Sequence, residues 1–164
     1  MLEREGLIVS ETNRGCFVRQ FNEDDILDIF SMRTNLENFT GELIIDRIND
    51  DDIAHLETLI ERQKSAIDVN DTQAIRRIDM SFHEYLVMRS NHPLLIRSWQ
   101  ELVAQVAALL HIRKEAIPNY DEYKVIADHQ SIVDAYKNRD LEDLRRQNDR
   151  INQRVAGECC QSID

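Results

Sequence analysis

Asp71-Thr72-Gln73-Ala74-Ile75-Arg76-Arg77-Ile78-Asp79-Met80-Ser81-Phe82-His83-Glu84-Tyr85-Leu86-Val87-Met88-Arg89 carries Ile75, Phe82 and Leu86 at whole helical turns, and Ser90-Asn91-His92-Pro93 closes it. Proline cannot continue the backbone ladder, so the stretch reads as one amphipathic helix over residues 71–89. Asp79 and His83 border its apolar face, a turn apart and about 40° around the axis, so both can reach one ion. They make half of a metal site. His129, in Ala127-Asp128-His129-Gln130-Ser131-Ile132, falls on the apolar stripe of Ile126, Ile132, Val133 and Tyr136 and is expected to point inward, where an ion can be shared. A partly exposed Asp/His pair and a hydrogen-bonded core histidine are the plainer readings of the same residues. Asp51 and His55 share the spacing but sit in an acid-rich first turn, where a solvated pair is expected.

Outward from this stretch the same periodicity recurs. Helices are predicted at about residues 23–46, with Ile26, Ile29, Phe30, Leu36, Leu43 and Ile44 facing the core, and at about 50–69, behind the cap and first-turn acids of Asn49-Asp50-Asp51-Asp52. Pro93 opens a fourth, to about residue 114. A fifth follows Pro118-Asn119 to about residue 137, and a sixth follows Asn138-Arg139-Asp140 with Leu141, Leu144, Asn148, Ile151 and Val155 on one stripe. The fold class is all-α, an antiparallel bundle of about six helices. Ahead of it, Gly6-Leu7-Ile8-Val9 and Cys16-Phe17-Val18 flank Asn13-Arg14-Gly15, which reads as a short β-hairpin. A lone hairpin is marginal in water, so it reads as the edge of a preceding domain, with Leu2-Glu3-Arg4-Glu5 the end of a helix begun upstream.

The 164 residues suit one main domain, and 42% hydrophobic with 31% charged content suits a soluble bundle. A net charge of −11 argues against DNA binding by this segment, since duplex binding needs cations to neutralise phosphates. Three cysteines, Cys16, Cys159 and Cys160, show no disulfide spacing and favour a reducing compartment. With no long apolar run and no secretion signal, a cytoplasmic protein without membrane contact is expected.

Two further sets of polar residues fall on apolar stripes. Arg33 lies between Phe30 and Leu36, where a guanidinium needs a partner: Glu37 one turn on, a ligand carboxylate, or both. Asn148 must find a hydrogen bond or an ion, and either it or Asn152 could offer a carbonyl oxygen. No Gly-rich phosphate loop, His-Glu-x-x-His or Gly-x-Ser-x-Gly is present, and no catalytic residues are read.

These residues resemble a known family, the FadR-type branch of GntR transcription regulators and its FCD effector domain. Leu2 to Val9 with Arg14-Gly15-Cys16-Phe17-Val18 resembles the end of the winged helix-turn-helix and its wing. Asp24-Asp25-Ile26 through Met32-Arg33 and Leu36-Glu37 resembles the opening helix of the effector domain. Asp79-Met80-Ser81-Phe82-His83 with Ser90-Asn91-His92-Pro93-Leu94 resembles its central motif, and His129-Gln130-Ser131-Ile132, Ala135 and Arg139-Asp140 its closing segment.

The resemblance implies a ligand-sensing, dimerising domain over residues 21–164 that controls an attached DNA-binding domain, of which residues 1–20 would be the end and wing. It implies a divalent metal, zinc or nickel, on Asp79, His83 and His129, and a small carboxylate effector at Arg33, Asn148 and Asn152. The family's fourth ligand position falls at Ile151, which cannot bind a metal. Without the recognition helix, operator DNA is a partner only through the missing N-terminal domain, and the chain is expected to form a homodimer. The alternative reading is a metal-dependent helical-bundle enzyme acting on a small carboxylate.

Overall fold

Asn22 opens the first helix: its side chain accepts from the backbone N–H of Asp25, and the Asn22 backbone N–H donates to the Asp25 carboxylate, a reciprocal capping box. The computed structural model describes residues 8–11 and 15–163; the expected helix end at residues 2–5 and the hairpin turn at residues 12–14 lie outside them. Two strands, β1 (Ile8–Glu11) and β2 (Gly15–Val18), pair antiparallel with Ile8 opposite Val18. Six α-helices follow among the described residues: α1 (Glu23–Ile44), α2 (Asp50–Asp68), α3 (Thr72–Arg89), α4 (Pro93–Ala116), α5 (Tyr123–Lys137) and α6 (Leu141–Cys160).

The helix ends follow local chemistry. Asn49 and Asp52 repeat the capping box on α2. Asp71 and Asp140 accept from backbone N–H groups three residues on, opening α3 and α6. His92 caps α4 through Nδ1, with Pro93 in the first turn. α5 begins later than Pro118-Asn119 suggested, because the intervening chain turns on a bond from the Tyr120 N–H to the Ile117 carbonyl, with Tyr120 buried. Asn70, Asn91 and Arg139 take positive φ angles of 55°, 51° and 51° in the turns after α2, α3 and α5. Asparagine tolerates that region; arginine needs a reason.

The reason is tertiary. The Arg139 guanidinium donates to the carbonyls of Ile45, at 2.9 Å, and Ile48, at 3.3 Å, tying the α5–α6 turn to the α1–α2 turn. α1 packs along α6 and α4, α2 lies on α3 and α5, and α5 lies on α6. A side chain at Gly41 would bring a Cβ within 2.5 Å of Leu144 Cδ2, so glycine is what lets α1 approach α6 this closely. Ile26, Leu56, Phe82, Leu109, Val133 and Leu144 are fully buried and fill one continuous core. No helix among the described residues is long and apolar enough to cross a membrane.

Candidate metal centre

Buried within this core are two rings from neighbouring helices. α3 presents Asp79 and His83 from successive turns, and α5 brings His129, 2% exposed, onto them. His129 Nε2 lies 3.1 Å from Asp79 Oδ1 and 3.3 Å from His83 Nε2. One donor atom from each of the three residues lies within 4.8 Å of the others. Phe82 stacks on His129 with ring centroids 4.0 Å apart and fixes its plane.

The far nitrogen of each ring is already engaged. His83 Nδ1 lies 2.9 Å from Glu37 Oε1 on α1. A carboxylate only accepts, so Nδ1 carries the proton and Nε2 its lone pair. His129 Nδ1 lies 2.9 Å from Gln63 Oε1 on α2. Gln63 Nε2 donates to the Ile75 carbonyl at 3.4 Å, which orients the amide so that its oxygen faces the histidine. The two Nε2 atoms and the Asp79 oxygen then converge, an arrangement that calls for a shared proton or a cation.

The separations suit a cation. Bonds of about 2.0–2.1 Å from a tetrahedral zinc ion place two nitrogen donors about 3.3 Å apart. The donor set therefore fits a divalent metal at three positions. A proton is the weaker occupant, because burial lowers the pKa of His129 against the opposing pull of Asp79. Burial raises the Asp79 pKa, but a hydrogen bond from His129, the positive charge that His129 and His83 carry when protonated, and the charge of Arg33 together hold it below the usual carboxylate range.

Glu37 is the hub behind the site. Burial alone would raise its pKa, yet the Arg33 and His83 charges and bonds from His83 and Asn152 bring it down to about 2. Arg33, 4% exposed, donates from Nε to Glu37 Oε1 at 3.0 Å, so the intrahelical partner is real. Arg33 also lines a cavity of about 60 Å³ shared with Asp79, His83, His129 and Ile151. That is room for a few water-sized groups.

Ile151 thus presents hydrocarbon to the cavity that the three donors edge. Asn148 and Asn152 are not brought to it. They share the next face of α6, one turn apart, where Asn148 donates to Asn38 Oδ1 at 2.9 Å and Asn152 to Glu37 Oε2 at 2.7 Å. Neither amide lines the cavity that the three donors edge: α6 turns Ile151 and Val155 toward it and the amides toward α1. Asp51 and His55 are exposed, as a solvated pair should be.

Gln63 was missed in the sequence. It occupies an apolar-stripe position with Leu56, Leu59 and Ile60 and is fully buried, the same signal that singled out Arg33 and Asn148. A second buried group, Arg113 with Glu158, Tyr120 and Arg154, joins α4, α6 and the turn before α5, and no local spacing announces it.

Residues 28–153 match the family described as the FCD domain. The chain belongs to the FCD domain family of GntR-type transcription regulators. Among curated relatives, it is 28% identical over 148 residues to the uncharacterized HTH-type transcriptional regulator YdhC of Bacillus subtilis, covering 87% of this chain and 63% of that protein. It is 26% identical over 136 residues to the gluconate operon transcriptional repressor of Bacillus licheniformis, covering 81% of this chain and 56% of the repressor. The chain therefore spans somewhat more than half the length of these relatives. Among solved structures, McbR/YncC of E. coli superposes with a TM-score of 0.84 at 22% identity, covering 98% of this chain and 80% of that one. These relatives are named as regulators and repressors rather than enzymes, so the enzyme reading is not favoured.

Proposed function

We propose that residues 21–164 are the ligand-sensing and dimerisation domain of a metabolite-responsive transcription regulator, and that residues 1–20 are the end and wing of its winged helix-turn-helix domain. Asp79, His83 and His129 hold a divalent metal, zinc or nickel, and a small carboxylate effector shares the cavity with it and with Arg33. The observation that carries this reading is the convergence of two imidazole nitrogens, 3.3 Å apart, with a carboxylate oxygen. The metal would supply a fixed positive charge to which an acid can bind.

What this chain's residues do is hold and orient. Glu37 and Gln63 fix the two imidazoles, Arg33 adds a cation from α1, and the cavity walls exclude all but small molecules. Arg33 and Glu37 place α1 in contact with the site, while at the amino-terminal end of α1 Arg19 bridges Asp25, at 2.7 Å, to Gln105 of α4, at 3.0 Å. A ligand that prefers one packing of α1 against α3 therefore shifts the segment leading back to the wing. The protein acts in the cytoplasm as a homodimer that reads its operator through the DNA-binding domain.

Calorimetric titration of zinc and of nickel into metal-stripped protein tests the site. One equivalent is expected for the wild-type chain and none for His83→Asn. Failure of both metals to bind the wild-type chain would overturn it.

A further inference from the structure

Among the described residues, three buried side-chain polar atoms lack a hydrogen-bond partner: Arg76 Nε, Arg113 Nε and Asn152 Oδ1. Both guanidinium groups line the cavity that reaches the Asp79, His83 and His129 cluster. Buried N–H groups are almost always matched, so two unmatched ones on a single cavity point to a missing acceptor there. We infer that Arg76 and Arg113 form a second anion-binding subsite, and that the ligand of this cavity carries two acidic groups.

The two arginines are held differently. Arg113, 6% exposed, donates from an Nη nitrogen to Glu158 at 3.0 Å and lies over the Tyr120 ring at 4.2 Å, so its guanidinium is fixed while Nε is left over. Arg76 meets His111 Nδ1 at 2.9 Å, and no carboxylate among the described residues lies within ion-pair distance of it. Lys114 and Asp128 also line the cavity but are paired, with Glu122 and Arg154 respectively. The charge left over on this wall is that of Arg76. An acid group of the ligand supplies what it lacks, since guanidinium matches carboxylate and phosphate alike.

Helix geometry sets the spacing. Arg76 precedes Asp79 by one turn and His83 by two on α3, about 5 Å and about 10 Å along the axis. One acid group at the metal and Arg33 and another at Arg76 can then belong to one small molecule in the shared cavity. This inference rests on the carboxylate-sensing reading above and narrows it to ligands with two acidic groups.

The test is calorimetric titration of the zinc-loaded protein with two matched pairs: glutarate against butyrate, and 3-phosphoglycerate against glycerate. In at least one pair the acid with two anionic groups is expected to bind at least about tenfold tighter, the worth of one charge-assisted contact; the pair that shows the gap identifies carboxylate or phosphate as the second group. Arg76→Gln should erase the gap, Arg76→Lys should restore part of it, and both should keep zinc stoichiometry and monoacid affinity. Equal affinities within both pairs, or a gap that survives Arg76→Gln, would overturn the second subsite and leave the carboxylate reading standing. Silence of all four acids would overturn both.

Discussion

His83 and His129 face each other through Nε2 atoms 3.3 Å apart, each with its Nδ1 committed, to Glu37 and to Gln63. The pair is preorganised for a cation before any arrives. Saturating zinc at about 100 times its dissociation constant should add about 2.7 kcal/mol to the stability of the native state, seen as a rise in melting temperature that a chelator reverses. His129→Asn should lose that response. A zinc-induced rise that persists in the variant would place the metal elsewhere.

Glu37 serves Arg33, His83 and Asn152 at once. Replacing it with glutamine leaves Arg33 buried without its counter-charge, and the expected loss is about 3 kcal/mol by urea denaturation. Zinc affinity should also fall, by about tenfold or more, because the His83 tautomer is no longer enforced. Glu61→Gln, at an exposed pair with Lys64, is the control and should change neither measurement.

Asp52 gives the fold an acid sensitivity. Burial raises its pKa, but the Tyr85 hydroxyl, the Asn49 cap and Arg89 outweigh it and hold the group below its ordinary value of 3.8. With the folded pKa depressed, the contribution is complete above the unfolded value and fades as pH falls through the folded one. Asp52→Asn should cost about 2 kcal/mol near pH 7. Thermal melts of both proteins between pH 7 and about pH 3 should show the two curves converging at the acid end; parallel curves would refute the assignment.

Arg139 spends a positive φ of 51° to reach the carbonyls of Ile45 and Ile48. Arg139→Ala keeps the strained backbone and removes both bonds, so a loss of about 2 kcal/mol is expected. Arg139→Gly removes the bonds and relieves the strain, and should lie between alanine and wild type. Chemical denaturation midpoints of the three proteins settle the order.

The bundle was legible because its signals are local. Apolar spacing, Asn49 as a cap, and Pro93 as a start mark the helices within a turn or two. Asp79 and His83 could be paired for the same reason, since four residues fix their relation on one helix. Their relation to His129 came from the family resemblance and the inward stripe of α5. Gln63 stayed hidden because its partner lies on another helix, though its place in an apolar stripe was a usable clue. Asn148 and Asn152 show the converse: burial was foreseeable, but the rotation of α6 that turns them to Asn38 and Glu37 depends on how closely Gly41 lets α1 approach.

Ile151 denies the three donors a fourth from the protein. On the proposed reading, metal and acid each complete the other's binding site, and the coupling between them is reciprocal. Neither need bind tightly alone. Such a pocket works as a coincidence detector, quiet when only the ion or only the acid is abundant and responsive to the product of their concentrations. A histidine in place of Ile151 would hold the ion permanently and turn the same pocket into a gauge of the acid alone.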